Sequence, residues 1–358
     1  MSDKLKLVPL AGYSDRLSLR PGETAQFKVS SQTNGPVKAW LTRSISADPN
    51  PEGMGVAEVP MDDMFTPIEF AGRNQPFYPG SYAITQQQIS FDPGKGFKVG
   101  AIVFPTLEKS DPQTIFSAGG LVIATSRQGL VIEIGNVQFR SAKPLGLRTW
   151  QQVEAAYDPQ TNSLTLSHGT VGTDRVETAE RTTKRSEIEG GRTGKVVIAA
   201  KLDDGLAVDH FNGKIEAPYL EAILGEDDAP TRLSWDFSLE ISSTVACETS
   251  AHQLHADLVN YPTRGVTGAG WDAREMCWRH APDQYAAIHF HETDIYDFQW
   301  QTDFSFTAPD DLPSGAYMMH IGCGDHHDAM PIFVCAPYRK PRAKLCLLVS
   351  TFTYTVYG

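Results

Sequence analysis

The sequence lacks the features of secreted and membrane proteins. It contains no run approaching the ~18 apolar residues of a membrane span, and its first residues, MSDKLKLVPLAGYSDR, have no apolar core like that of a signal peptide. Its cysteines are few and none belongs to a CxxC motif; they are Cys247, Cys277, Cys323, Cys335 and Cys346. This usage indicates free buried thiols in a reducing compartment, so we expect a cytoplasmic protein without disulfides or structural zinc.

Positive charge is also scarce. The chain has 31 lysines and arginines against 43 aspartates and glutamates, which gives a formal net charge of −12. Nucleic acids and anionic membranes bind cationic surfaces, because binding releases their counterions. We therefore expect neither a nucleic acid nor a membrane as a partner.

Motifs of several common catalytic sites are missing as well. The sequence has no GxSxG or SxxK motif for a serine nucleophile and no HExxH motif for zinc. The glycines of DPGKG at 92–96 lack the Lys-Ser/Thr pair of a phosphate-binding loop. These motif classes therefore assign no reaction to the chain.

What the chain contains is a turn-rich β pattern, over a length sufficient for two or three domains. Residues 16–20 and 25–30 alternate in the manner of strands around a Pro-Gly-Glu turn, as at the start of immunoglobulin-like sandwiches. Further on, short strands follow one another without helices, and the hairpin at 149–169 resembles that of laminin-G/concanavalin-like jelly rolls. Two polar stretches, 47–64 and 173–193, are predicted as loops.

We predict a mainly β fold in which one sandwich is inserted into another. The first part of an immunoglobulin-like sandwich covers residues 1–65, and a laminin-G/concanavalin-like jelly roll covers 66–238. An irregular segment and the remaining immunoglobulin-like strands cover 239–338, where Tyr317 follows a turn typical of a last hairpin. Residues 339–358 are a linker and the start of a truncated α/β domain.

The truncated domain is predicted from LCLLVS at 345–350. Such a continuous apolar run is typical of a parallel strand that is buried on both faces. No helix that could cover this strand follows in the sequence. We therefore expect the chain to be the front part of a longer protein.

Histidines and acids are candidate ligands and catalysts. His289 and His291 lie two apart on a predicted strand, so both side chains should point to one face. The GDHHD stretch at 324–328 offers ligands that suit zinc or iron, but a solvated hairpin tip explains it better. Candidate acids for glycoside chemistry, which their spacing does not single out from ordinary surface carboxylates, are Glu216, Asp236 and Glu292.

Tryptophans support an alternative function, that of a free-standing carbohydrate-binding protein. Sugar sites often stack an aromatic ring against a sugar face, and the available rings are Trp40, Trp150, Trp271 and Trp300. In a sandwich, however, a tryptophan is more often part of the core.

A set of motifs resembles the large (beta) subunit of N,N-dimethylformamidase. In chain order they are GYSDR at 12–16, PGET at 21–24, WDFS at 235–238, PTRGVTG at 262–268, YAAIHFHE at 285–292 and STFTYTVY at 350–357. No single motif is diagnostic, but the set keeps its order and spans essentially the whole chain.

The resemblance implies an amidohydrolase that splits a small amide, N,N-dimethylformamide, into dimethylamine and formate. It also implies a mononuclear iron held by two tyrosines and one glutamate, an α/β domain behind β-sandwich modules, and a small helical subunit in a homo-oligomer. By motif position Tyr357 corresponds to the first tyrosine ligand, or Tyr354 if the register is shifted by a turn.

In that family the iron acts as a Lewis acid, and its other ligands would lie further along than this chain. A single phenolate does not give structural metal affinity. We therefore expect this chain to be a non-catalytic front portion that is inactive and free of iron when isolated.

Overall fold

The computed structural model of the chain describes residues 8–33, 35–225, 229–338, 343–351 and 353. Strands dominate the described residues, which confirms the predicted mainly β fold. The helices with described bounds are α1 (Arg185–Ile188) and two 3-10 helices (Pro93–Lys95 and Pro282–Tyr285). Thr351 and Thr353 are also helical.

The strands are short and are separated by turns. Up to residue 140 they are β1 (Leu10–Ser14), β2 (Ser18–Leu19), β3 (Thr24–Ser31), β4 (Pro36–Ala47), β5 (Val56–Pro60), β6 (Ile68–Ala71), β7 (Tyr82–Phe91), β8 (Phe97–Pro105), β9 (Gln113–Ala118), β10 (Leu121–Ser126), β11 (Gly129–Ile134) and β12 (Val137–Arg140). Beyond it they are β13 (Gln151–Asp158), β14 (Ser163–Thr170), β15 (Val176–Thr182), β16 (Arg192–Ile198), β17 (Lys201–Asp203), β18 (Leu206–Val208), β19 (Gly213–Ala222), β20 (Thr231–Asp236), β21 (Val245–Glu248), β22 (Ala256–Val259), β23 (Thr263–Val266), β24 (Ala287–Phe290), β25 (Phe304–Thr307), β26 (Gly315–Cys323) and β27 (His326–Val334).

The chain forms two compact units. Unit 1 consists of Met1–Phe77 and Asp297–Gly358, and unit 2 is the intervening Tyr78–Tyr296. Phe27 and Ile332 belong to the same buried cluster, although most of the chain separates them in sequence. In sequence, unit 2 is therefore inserted into unit 1.

The unit boundaries differ from the predicted ones at both ends of the insertion. Residues 66–77 belong to unit 1, because they supply β6, which pairs with β4. Residues 239–296 belong to unit 2, because β22 pairs with β7 and β24 pairs with β19. The segment predicted as irregular thus completes the inserted unit.

Unit 1 consists of two sheets around one core. One sheet has the order β1-β3-β25, and the other has the order β2-β27-β26-β4-β5, with β6 beside the first half of β4. The pairs are antiparallel except that of β2 with β27. Because successive side chains point to opposite faces, Ala25, Phe27 and Val29 of β3 are buried together. Phe27 stacks on Phe304 with ring centroids 4.9 Å apart.

Apart from the separate two-stranded sheet of β17 and β18, the strands of unit 2 form one continuous hydrogen-bonded path. Its order is β12-β11-β10-β9-β16-β7-β22-β21-β20-β19-β8-β13-β14-β15, with β24 also beside β19 and β23 beside β24. A large apolar cluster that includes Phe116 and Trp235 forms its core. The predicted hairpin of β13 and β14 is confirmed, with Asp158 paired to Ser163 at its turn.

The prediction of loops at two polar stretches is wrong. The stretches at 47–64 and 173–193 contain β5 and β15, both terminal strands of their sheets. The apolar run at 345–350 is not in a strand, and its Leu345, Leu347 and Leu348 are almost fully exposed. A strand needs a hydrogen-bonding neighbour, and no described strand pairs with this run. The partners predicted for this run lie outside the chain, so its assignment to a further domain stays a prediction.

The described residues contain neither a membrane-spanning helix nor a disulfide bond. None of their helices is both long and apolar enough to cross a bilayer. All five cysteines, including the exposed Cys346, are free thiols, of which Cys323 is buried.

Candidate functional site

The predicted iron ligand Tyr357 and its alternative Tyr354 lie outside the described residues. Within the part of the chain that the structure describes, no group of three or more His, Cys, Asp or Glu side chains could hold a metal ion. The described residues therefore do not fit an iron centre by themselves, and the assignment of Tyr357 stays a prediction.

The predicted arrangements of histidines agree with the structure. GDHHD at 324–328 includes the turn between β26 and β27, where Cys323 pairs with His326. The rings of His289 and His291 lie side by side, with centroids 4.0 Å apart, as expected for residues on one face.

Three ionisable side chains meet on the outward face of the unit 2 sheet. Lys214 and Glu216 are two apart on β19, and His289 of β24 is paired directly with Lys214. Alternation along the strands puts all three on the face opposite the buried Ile215 and Ile288. We call Lys214, Glu216 and His289 the polar face.

The loop at 267–281, called here the overlying loop, is bound to the polar face. Lys214 Nζ donates hydrogen bonds to the carbonyl and hydroxyl oxygens of Thr267 at 3.1 and 3.0 Å. The backbone N–H of Ala269 donates to Glu216 Oε2 at 2.6 Å. A Cβ on Gly268 would lie 2.7 Å from the same oxygen, so a larger residue there would have to displace the carboxylate. The two side chains thus anchor the loop to the sheet.

Burial sets the protonation of the polar face. Desolvation, with the nearby charge of Asp236, raises the pKa of Glu216, although a backbone hydrogen bond opposes the shift. Desolvation lowers the pKa of Lys214 against the attraction of Glu216. Burial and the charges of His291 and Lys214 lower the pKa of His289 to about 4. His289 is therefore neutral at pH 7, and its buried Nε2 has no hydrogen-bond partner within the described residues.

The other predicted acids have partners of their own. Asp236 Oδ1 accepts hydrogen bonds from the backbone N–H and the hydroxyl of Ser238 at 2.9 and 2.6 Å, which closes a tight turn after β20. Glu292 Oε2 lies 2.5 Å from Lys109 Nζ in a partly exposed ion pair. Asp236 therefore lies close enough to Glu216 to influence its pKa, whereas Glu292 is paired with Lys109.

The four tryptophans make contacts within their units. Trp300 donates a hydrogen bond from Nε1 to the carbonyl of Pro76, and Trp271 donates one to the carbonyl of Glu275. Trp40 packs against the ring of His320, and Trp150 packs against the ring of Phe104. These contacts account for the four rings as parts of the fold.

Lys214 is absent from the residues that the sequence analysis selected, although its signal is present. The alternation Gly213-Lys214-Ile215-Glu216 places the lysine and the glutamate on one face of any strand. What the sequence does not reveal is the overlying loop, because Thr267 lies 53 residues from Lys214.

Arg264 of the PTRGVTG motif holds together the segment that follows WDFS. Its Nη1 and Nη2 donate to five backbone carbonyls at 2.8–3.2 Å, those of Phe237, Leu239, Glu240, Ser243 and Val245. Trp235 of WDFS is fully buried and donates from Nε1 to the carbonyl of Leu254 at 3.0 Å. Two of the motifs that carry the resemblance, WDFS and PTRGVTG, therefore make contacts that order the backbone of unit 2.

Glu216→Gln is expected to flatten the pH dependence of stability. Because the pKa of Glu216 is raised, the folded chain keeps this proton at pH values where the unfolded chain has lost it. The free energy of unfolding therefore falls as the pH rises from the ordinary value of 4.5 through the raised one, and glutamine removes this slope. Thermal unfolding between about pH 4 and pH 7 measures it.

Glu221→Gln is the matched control, because Glu221 lies on the same strand and pairs with Arg232 at the surface. Its curve should follow that of the wild type. Parallel curves for wild type and Glu216→Gln would contradict the prediction.

Comparison with known proteins relates the whole chain to one group of enzymes. The sequence model of the family "N,N-dimethylformamidase beta subunit-like, C-terminal" matches residues 263–358. The N,N-dimethylformamidase beta subunit of Paracoccus aminophilus is 31% identical over 408 aligned positions, and that of an Alcaligenes species is 30% identical over 405. Each alignment covers 99% of this chain and 52% of the relative. The chain thus spans about half the length of these relatives.

Solved structures that resemble the chain are β proteins of low identity. A Bacteroides ovatus protein proposed to bind carbohydrate is 13% identical, with a TM-score of 0.35 over 67% of this chain and 68% of that one. A pentraxin of Limulus polyphemus is also 13% identical, with a TM-score of 0.29 over 51% of this chain and 75% of the other.

Proposed function

Because this chain belongs to the family of N,N-dimethylformamidase beta subunits, we propose that it is the β-rich, non-catalytic front portion of an amidohydrolase subunit. The reaction of the complete enzyme would be hydrolysis of a small N-alkylated formamide to an amine and formate. The observation that carries this proposal is that the similarity extends over 99% of the chain and is not confined to one module.

The role we propose for this portion is to support and shape the enzyme. Contacts such as those of Arg264 and of Thr267 are made by residues of the PTRGVTG motif, which is one of those that the family resemblance rests on. They order backbone segments and do not bring a nucleophile to a base, so they favour a scaffolding role for these motifs.

Iron is part of the proposal for the complete enzyme. Tyr357, or Tyr354, would supply one phenolate ligand, and the remaining ligands would come from outside this chain. The described residues do not complete such a site, so we derive no catalytic step through the metal.

The proposed setting is a cytoplasmic enzyme of more than one kind of subunit. The relatives are named beta subunits, which implies a companion subunit, and we propose a small helical one within a homo-oligomer. Free thiols and the absence of disulfides among the cysteines favour a reducing compartment.

Purified alone, the 358-residue chain is expected to contain well below one iron per chain and to release no dimethylamine from N,N-dimethylformamide. One protein phenolate is too few to hold iron through purification. Elemental analysis and an amine-release assay measure both quantities. Stoichiometric iron that survives a chelator would contradict this prediction.

A chimera tests the proposal itself. This chain would replace the matching segment of the Paracoccus aminophilus subunit, and the chimera would be expressed with that enzyme's companion subunit. If the chain is the scaffold of such an enzyme, the chimera assembles and hydrolyses the amide. A chimera that folds but neither assembles nor hydrolyses amides would overturn the proposal, and glycan binding by the chain would then favour the carbohydrate-binding alternative.

A further inference from the structure

One segment of unit 1 holds a disproportionate share of the negative charge. Residues 44–72 contain six acidic residues and no lysine, arginine or histidine, so they account for half of the net charge of −12. The six are Asp48, Glu52, Glu58, Asp62, Asp63 and Glu69. Among the described residues, no lysine or arginine forms a salt bridge with any of these carboxylates.

The same segment exposes large apolar side chains. On the hairpin of β4 and β5, Met54 and Val56 are 73% and 75% exposed, and Ile45 and Val59 are about half exposed. β5 is the terminal strand of its sheet in the described part of the chain, so its outer backbone edge faces away from β4. Exposed apolar edge strands are unusual in free proteins, because they promote association.

Hydrogen bonds attach β5 to the neighbouring strands β4 and β26 of its sheet. Glu58 Oε2 of β5 accepts hydrogen bonds from Thr42 Oγ1 and His320 Nε2, each at 2.7 Å, and His320 Nδ1 lies 2.9 Å from His327 Nε2. Trp40 stacks on the His320 ring at 5.2 Å. Burial opposes the Glu58 charge, but these hydrogen bonds outweigh it and lower the pKa of Glu58. A surface that is already ordered loses little entropy on binding.

Charge decides what kind of surface can cover this edge. A second copy of the chain would bring six carboxylates against six others, which charge repulsion disfavours. A nucleic acid or an anionic membrane is repelled for the same reason. A protein that presents lysines and arginines around an apolar contact complements both properties of the hairpin.

We propose that the β4–β5 hairpin, with the carboxylates of residues 44–72, is the docking surface for a basic, apolar face of the companion subunit. The inference rests on the proposed function, because that function requires a companion. It adds the location of the interface and the sign of the partner's charge.

The test uses the chimera with the Paracoccus aminophilus companion subunit, because amide hydrolysis then reports separately on the proposed function. Val56→Lys and Asp63→Lys add positive charge at exposed positions of the hairpin segment, where folding tolerates it. Val176→Lys is the matched control, because Val176 is a 62% exposed valine on unit 2. Affinity of each variant for the companion is measured at low and high salt, together with hydrogen exchange of β5.

We expect both hairpin variants to bind at least about tenfold more weakly than the wild type, while Val176→Lys binds normally. Salt should weaken wild-type binding, and the companion should slow hydrogen exchange in β5. An active, assembled chimera whose affinity is unchanged by Val56→Lys and Asp63→Lys would overturn the inference and leave the proposed function intact. Protection of β5 by a second copy without the companion would overturn it as well.

Discussion

Replacing Arg264 with methionine is expected to lower the free energy of unfolding of unit 2 by about 3–5 kcal/mol. The guanidinium donates to five backbone carbonyls between Phe237 and Val245, and methionine leaves all five without these donors. The guanidinium is partly buried, and this burial lowers the pKa of Arg264, so water replaces the lost bonds incompletely. Urea titration followed by circular dichroism measures the loss.

Two further variants make this result specific. Arg264→Lys keeps the charge, but three donors on one nitrogen cannot reach five carbonyls, so it should recover only part of the stability. Arg232→Met removes an arginine of β20 that lies at the surface in an exposed ion pair, and it should cost less than about 1 kcal/mol. A stability of Arg264→Met equal to that of Arg232→Met would contradict the assigned role.

The insertion of one β unit into another could be predicted because its signals are local. In β3 and β27 apolar and polar residues alternate, which is typical of strands with one buried face. The strands of unit 2 lie between them in the sequence. The exact boundaries could not be predicted, because they depend on distant pairing. Asp257 of β22 pairs with Ile84 of β7, and no property of the segment around Asp257 identifies that partner.

Polarity misled the prediction at terminal strands. In β15, residues 176–182 are mostly exposed, so the strand has no alternation of buried and exposed residues from which to recognise it. At 345–350 the apolar composition predicts burial, but a strand also requires a neighbour to pair with, and no described strand of this chain is that neighbour. The polarity of a segment predicts whether its side chains are buried, but it does not predict which strand the segment pairs with.

The candidate site could be predicted only as far as one strand determines it. Lys214 and Glu216 share a face because of the period of two, whereas their bonds to the overlying loop depend on tertiary structure. The hydrogen bond of Glu58 with His320 joins residues 262 positions apart and has no sequence signal at all.

Glu248→Ala is the second substitution for which we expect a loss of about 3–5 kcal/mol. The side chain of Glu248 is buried, with only 3% of the residue exposed, and it ends β21. Its oxygens accept hydrogen bonds from the backbone N–H groups of Ser234, Ser250 and Leu254 at 3.2, 2.7 and 3.1 Å, and from the Ser250 hydroxyl at 2.9 Å. Alanine would remove the acceptor of three backbone donors, of which that of Leu254 is buried and those of Ser234 and Ser250 are partly buried.

Glu248→Gln separates charge from shape. The amide oxygen can keep the bonds at one end, but the amide nitrogen would face the N–H of Leu254, so we expect an intermediate loss of about 1–3 kcal/mol. Glu221→Ala, at an exposed ion pair, should change stability by less than about 1 kcal/mol. If urea titration gave Glu248→Ala the same small change as Glu221→Ala, the buried carboxylate would not be what holds the end of β21. If the losses rank as predicted, the turn that leads from β21 to β22 is fixed by one charged side chain, because its backbone donors have no strand partner to supply the acceptors.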